Sequence, residues 1–213
     1  MELKQLLKNV DFRLVAGDLD RDITGVFYDS RQVIPGALFI CISGFKTDGH
    51  LYINQAIDKG AIAVMVEKEV SLPEGIACLL AKNTRMELPI LAANFYAEPS
   101  KDLRLIGVTG TNGKTTTTHL IKAILEENHK KVGIMGTLYA RIDDTKKELG
   151  HTTPEAPEIE EFISLSRKKG AEYIVMEVSS HALALNRVDK IHFNVAIFTN
   201  LTQDHLDLHE NME

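Results

Sequence analysis

A chain of 213 residues is long enough for one large domain or two small ones, and its 44% hydrophobic content supports a proper core and excludes global disorder. A net charge of −6 without an extended Lys/Arg cluster argues against a general nucleic-acid-binding surface. No apolar run approaches membrane-spanning length and Met1-Glu-Leu-Lys-Gln5 is not a signal peptide, so a cytoplasmic protein without membrane contact is the expectation.

Leu3, Leu6, Leu7 and Val10 repeat at helical spacing and predict a short amphipathic helix. Ile23–Tyr28 and Ala37–Ile42 read as strands separated by the polar Asp29-Ser-Arg31 and the turn residues Pro35-Gly36. A helix over Tyr52–Lys59 ends at Gly60, and strands follow at Ala61–Val66 and Ile76–Leu80. Leu88, Leu91, Ala92 and Phe95 mark another helix, which Ala97-Glu-Pro-Ser100 breaks. Cys41 and Cys78 are too few for a metal cluster or a disulfide framework and sit in apolar runs, as small buried hydrophobes do.

Past the break, Leu103–Val108 suits a buried parallel strand and Lys114–Glu127 a helix, with Leu120, Ile121, Ile124 and Leu125 facing a sheet. Lys131–Met135 is a strand. Thr137–Ile142 begins a hairpin that turns at Asp143-Asp144. Glu158–Lys169 carries Ile159, Phe162, Ile163 and Ser166 on one face of a helix ended by Gly170. Tyr173–Val178 and Val195–Thr199 are buried-strand runs. The alternation predicts an α/β fold: a small mixed α/β domain over 1–97, then an incomplete doubly wound, mostly parallel phosphate-loop (P-loop) ATPase domain over 98–213.

Between that strand and helix lies Gly107-Val-Thr-Gly-Thr-Asn-Gly-Lys-Thr-Thr116. Strand, glycine loop, Lys-Thr, helix is the arrangement that cradles nucleotide phosphates, because glycines let backbone N–H groups approach and the helix N-terminus adds positive potential. Gly110, Thr111, Asn112, Gly113, Lys114, Thr115 and Thr116 are the candidate ATP-binding residues, with the Thr115 hydroxyl a candidate Mg²⁺ ligand. The strict pattern asks for glycine where Val108 stands, and an isolated Gly-Lys-Thr is often a plain turn.

Glu177 ends a strand where ligands of open α/β sheets bind, and a carboxylate there can hold Mg²⁺. Ser179 and Ser180 follow it with hydroxyls free for a ligand. Asp204, His205, Asp207 and His209 crowd a polar loop, either a solvated surface or a metal or phosphate site, and spacing does not separate His205 from His209. Thr152 with Glu155, or Thr153 with Pro154, fits helix capping. Asp29-Ser-Arg31 and Asp48-Gly-His50 read as turn chemistry, and Arg187 as a solvated arginine.

Four segments together resemble the Mur ligase family. They are Asp29-Ser-Arg-Gln-Val-Ile-Pro-Gly-Ala-Leu-Phe39 with Asp48-Gly-His50; Thr109–Thr116; His151-Thr-Thr-Pro154 with Glu177-Val-Ser-Ser-His-Ala182; and Thr199–His209. The glycine loop alone admits the whole family. The first segment narrows it to the third and fourth ligases of the peptidoglycan stem peptide, and the third segment favours the third. The resemblance implies an ATP- and Mg²⁺-dependent amide ligase that joins a diamino acid to UDP-MurNAc-L-Ala-D-Glu through an acyl phosphate. It implies Lys114, Glu177 and His205 as catalytic, and Thr115, Glu177 and His205 as metal residues. Ser30 would contact the uridine nucleotide, and Thr152, Thr153, Ser179 and Arg187 the muramoyl-dipeptide. Leu185 replaces a glutamine of some relatives, and no lysine follows His205 where the family carries a carbamylated one. The expectation is therefore an inactive N-terminal fragment lacking the C-terminal domain, prone to self-associate where the full enzyme is a monomer. Its partners would be small molecules. The competing readings are a non-catalytic uridine-nucleotide-binding module on an ATPase remnant, and a P-loop ATPase or kinase of another pathway.

Overall fold

Apolar runs bounded by turn residues build the strands, and 3.6-residue periodicity builds the helices that cover them. The computed structural model describes residues 1–45, 47–204 and 209. Backbone contacts divide the chain into two units, Met1–Ala97 and Glu98–Glu213.

In the first unit the elements run α1 (Leu3–Leu6), β1 (Arg13–Ala16), β2 (Val26–Phe27), β3 (Ala37–Ile40), α2 (Ile53–Asp58), β4 (Ala61–Val66), β5 (Ala77–Leu80) and α3 (Thr84–Phe95). The sheet order is β1-β5-β4-β3-β2, parallel from β5 to β2, with β1 antiparallel at the edge. β3 and β4 are unbroken apolar runs because both faces of the sheet are covered. Leu38, Ile40, Ala63 and Met65 pack with Leu3, Leu6, Leu88 and Leu91 on one face. Phe39, Val64 and Val66 pack with Ile53, Ala56 and the free thiols of Cys41 and Cys78 on the other. Burial pushes the Cys41 thiol up, which suits an inert hydrophobe. β1 lies outside the sequence expectation. All four of its residues are exposed, so it shows no burial alternation and is held by its ladder to β5.

In the second unit a 3-10 turn at Pro99–Asp102 precedes β6 (Arg104–Thr109), α4 (Lys114–Glu127), β7 (Val132–Met135), β8 (Ala140–Ile142), β9 (Thr145–Lys147), α5 (Ala156–Lys168), β10 (Tyr173–Glu177), α6 (Ser180–Ala184) and β11 (Val195–Phe198). The sheet order is β11-β6-β10-β7-β8-β9. β11, β6, β10 and β7 are parallel, and β8 and β9 form the hairpin turning at Asp143 (φ 49°) and Asp144. β10 inserts between β6 and β7, so Glu177 pairs with Val108 and Met176 with Met135. The carboxyl ends of three strands therefore converge beside the glycine loop, the switch-point geometry of open α/β sheets.

α4 corrects one expectation. Thr118 is fully buried and Ile121 and Leu125 half-buried, whereas Leu120 and Ile124 are 60% and 62% exposed. The stripe i, i+3, i+7 starting at Thr118 faces the sheet, and Leu120 and Ile124 share the adjacent row that turns outward.

Candidate functional site

The glycine loop is shaped by backbone that L side chains disfavour. Gly110 and Gly113 have φ of 129° and 86°, and a Cβ on Gly110 would stand 2.2 Å from Thr199 Oγ1. The segment after β11 clamps this loop. Thr111 N–H donates to Asn200 O at 2.9 Å, Asn112 N–H to Asn200 Oδ1 at 2.9 Å, and Thr199 Oγ1 to Asn112 O at 2.7 Å. Sequence reasoning ended a strand at Thr199 and began a polar loop at Asn200 without giving either this task; an Asn right after a parallel strand that ends beside a glycine loop was the available signal. Lys114 curls back, donating from Nζ to Gly110 O at 2.7 Å and Thr111 O at 3.1 Å. Gly113 caps α4 with no side-chain bond, and Thr116 is exposed on the first turn. The first N–H groups of a helix have no intrahelical partner and face the space above the loop.

Thr115 and Glu177 meet there. Thr115 Oγ1 donates to Glu177 Oε2 at 2.8 Å. Thr137, which sequence reasoning passed over, donates from N to Glu177 Oε1 at 2.9 Å and contacts Oε2 from Oγ1 at 3.1 Å. Gly136 makes this approach feasible: a Cβ on it would stand 2.1 Å from Glu177 Oε1. Glu177 is 1% exposed, all these donors are neutral, and no ion pair to it occurs among the described residues. A buried carboxylate compensated only by neutral donors, with a threonine hydroxyl beside it and the first amides of a helix next door, fits a hard divalent cation.

Two expectations change at Thr152–Glu155. Neither threonine caps α5: the N-cap is Glu155, with no side-chain cap bond, and Pro157 stands in the first turn. Thr153, fully buried, donates to Glu177 O at 2.9 Å and accepts from Ser179 N at 3.0 Å, pinning the carboxyl end of β10. Thr152 Oγ1 lies 3.0 Å from Thr137 Oγ1. Helix-start grammar misled because the helix begins three residues later, leaving both hydroxyls for the sheet end. Ser179 also has a structural task, which leaves its own proton to donate. It is the N-cap of α6 and accepts from Ala182 N at 3.2 Å.

Arg187 is not solvated. The turn at Asn186 (φ 60°) aims it back at the Thr153 segment, where Nη1 donates to Thr153 O at 2.8 Å and Nη2 pairs with Glu155 Oε1 at 2.9 Å. The two side chains are only 12% and 13% exposed. His205 and Asp207 lie outside the described residues. His209 is described, and its ring meets that of His181 edge-on at 5.9 Å.

The first unit holds a separate cleft of about 530 Å³, lined by Tyr28, Ser30, Ile42, Gly44, Gln55 and Arg85 among others. Ser30, 6% exposed, donates to Gln55 Oε1 at 2.7 Å. Asp29 serves the turn, accepting from Arg31 N–H and from its guanidinium, which holds the Asp29 carboxyl below its ordinary value. Asp48-Gly-His50 is more than a turn. Asp48 Oδ1 accepts from His50 N at 2.9 Å and from Nδ1 at 2.5 Å, while His50 Nε2 accepts from Glu67 N–H at 3.0 Å. That pattern requires the Nδ1–H tautomer of a ring whose side chain is 4% exposed. Lys68, then the His50 bonds, hold the Asp48 carboxyl well below the usual range.

The Mur ligase middle domain matches residues 108–213, and the catalytic domain of the Mur ligase family matches residues 22–96. The chain belongs to the Mur ligase family. It is 59% identical over all 213 residues to the UDP-N-acetylmuramoyl-L-alanyl-D-glutamate–2,6-diaminopimelate ligase of Syntrophomonas wolfei, and it spans 44% of that protein's length. A solved structure of a ligase of the same name superposes with a TM-score of 0.79 at 28% identity, over 95% of this chain and 41% of that one. The MurF ligase of Thermotoga maritima, solved with ADP, matches at a TM-score of 0.58 and 25% identity, over 86% of this chain and 39% of that one. The mixed α/β fold with dominant parallel strands is the fold of these ligases.

Proposed function

We propose that this chain carries the nucleotide-binding and acceptor-binding parts of an ATP-dependent amide ligase, one that joins a diamino acid to UDP-MurNAc-L-Ala-D-Glu in peptidoglycan synthesis. The observation that carries the reading is the Thr115–Glu177 hydrogen bond at the mouth of the glycine loop, in a chain 59% identical to a ligase so named. Ligation itself is assigned to the whole protein, since the matched relative is longer. In such a reaction a free carboxylate of the D-Glu residue attacks the γ-phosphorus of ATP, forming an O–P bond as the bond to ADP breaks. The amine of the incoming diamino acid then forms the C–N bond, loses a proton and expels phosphate. The diamino acid is 2,6-diaminopimelate in the named relative.

On this reading each residue takes a part. Thr111 and Asn112 amides are engaged by Asn200, so the ATP phosphates face the amides from Gly113 to Thr116. Lys114 swings from the loop carbonyls to the phosphate oxygens, exchanging two neutral acceptors for charged ones. Thr115 and Glu177, with His205, would hold Mg²⁺, which when bound neutralises phosphate charge. Arg187, Thr152, Thr153 and Ser179 shape the acceptor side, and the Ser30 cleft takes the uridine nucleotide. Cytoplasmic location accords with soluble nucleotide substrates and with the lack, among the described residues, of a helix long and apolar enough to cross a membrane.

Calorimetric titration of this chain with UDP-MurNAc-L-Ala-D-Glu, UDP-GlcNAc and ATP–Mg²⁺ tests the proposal. Expected are tighter binding of the muramoyl-dipeptide than of UDP-GlcNAc, weakened by Ser30→Ala, and nucleotide binding lost in Lys114→Ala. Equal, variant-insensitive binding of all three would overturn it.

A further inference from the structure

The Thr137 hydroxyl touches two oxygens but owns one proton. Its Oγ1 lies 3.1 Å from Glu177 Oε2 and 3.0 Å from Thr152 Oγ1. Toward Glu177 the hydroxyl is the donor. Thr137 is the donor toward Thr152 as well, so its one proton is shared between Glu177 Oε2 and Thr152 Oγ1, beside the hydroxyl that Thr115 donates to the same carboxylate. Thr115 keeps its lone pairs open toward a cation, because its proton too is committed to Glu177. Thr137 N–H adds the bond to Oε1 at 2.9 Å, so one residue fixes both oxygens of the carboxylate and the side chain of Thr152. Gly136 permits the contact, since a Cβ there would displace the Glu177 carboxylate.

We infer that Thr137 is a positioning residue that ties the phosphate-loop end of the site to the Thr152–Thr153 end, holding Glu177 oriented for the cation that accompanies the nucleotide. The inference rests on the phosphate-loop reading above. Its consequence is that the benefit a divalent ion gives to nucleotide binding depends on a hydroxyl that touches neither nucleotide nor metal.

The measurement is the ratio of ADP dissociation constants in EDTA and in Mg²⁺, by calorimetry on this chain. Thr137→Val keeps shape and N–H but removes the hydroxyl. It should lower the ratio about tenfold, the scale of one hydrogen bond to a charged group, while the EDTA constant stays in place. Thr137→Ser should restore the ratio to within about twofold, which a merely steric role would not predict. Thr152→Val, which leaves the Thr137 proton to Glu177 alone, should raise it by a smaller factor. A wild-type ratio in Thr137→Val overturns the inference and leaves the phosphate-loop reading standing. An effect of Thr137→Val with none in Thr152→Val overturns the link to the acceptor end. Absence of ADP binding by the unmodified chain in both buffers overturns the phosphate-loop reading and this inference with it.

Discussion

Glu160 and Glu177 are equally hidden, each 1% exposed, and both belong to the second unit. Around Glu177 stand the Thr137 N–H and the hydroxyls of Thr115 and Thr137. Around Glu160, on α5, neither carboxyl oxygen has a hydrogen-bond partner among the described residues. Burial, then repulsion from Glu98, pushes the Glu160 carboxyl up to about 8. Depth is therefore a poor guide to role. Donors decide which buried acid has its oxygens held in place and which is kept neutral as packing.

The largest expected effect breaks the pair at Glu160. Unfolded, this glutamate ionises near its ordinary 4.5; folded, near 8. Below pH 4.5 both states hold the proton and nothing is lost. Between 4.5 and 8 unfolding releases a proton, so stability falls as pH rises through that window and levels above it. Glu160→Gln removes the slope. Urea unfolding at pH 8 should show the variant more stable by roughly 3 to 5 kcal/mol, with no difference at pH 4. An unchanged pH slope would show that the acid finds a donor in solution.

At Glu177 the same change has the opposite sign. Glu177→Gln replaces an accepting oxygen with an N–H₂ group facing hydroxyls already oriented to donate. Urea unfolding at pH 8 should show a loss of about 1 to 3 kcal/mol. Gly136→Ala attacks the same carboxylate from behind, since the new Cβ would overlap Oε1. It should cost about 1 to 3 kcal/mol and lower Mg²⁺-dependent ADP binding, while ADP binding in EDTA changes less. If Gly136→Ala weakens both equally, the loop as a whole has shifted and the local reading of the Glu177 pocket fails.

Local grammar was legible and long-range partnership was not. β4 and α4 have the bounds read from the sequence, because a continuous apolar run and an amphipathic period are properties of neighbouring residues. Glu177 at a strand end and Thr115 after the glycine loop were legible for the same reason. Their contact spans 62 positions and depends on β10 inserting between β6 and β7. The bond from Arg187 to Thr153 spans 34, so nothing near Arg187 reveals that it is buried. Thr137 escaped notice because its task lies in the backbone N–H and one hydroxyl, which almost any loop threonine possesses.

The smallest expected effect concerns α4. Four apolar residues on one helix suggest four core contacts, yet a helix turns 100° per residue, and a sheet covers only one stripe of it. Ile124 is 62% exposed, one position before the half-buried Leu125. Ile124→Gln removes little apolar contact and substitutes a good helix former for a β-branched residue, so stability should change by less than about 0.5 kcal/mol. Leu125→Gln, on the sheet-facing stripe, should lose more, about 1 to 2 kcal/mol by urea unfolding. Equal losses at the two positions would mean that something packs on the outer row of α4 in solution. Light scattering across a wide concentration range would then identify a second copy of the chain as the cover, because the Ile124 loss would appear only where the chain associates.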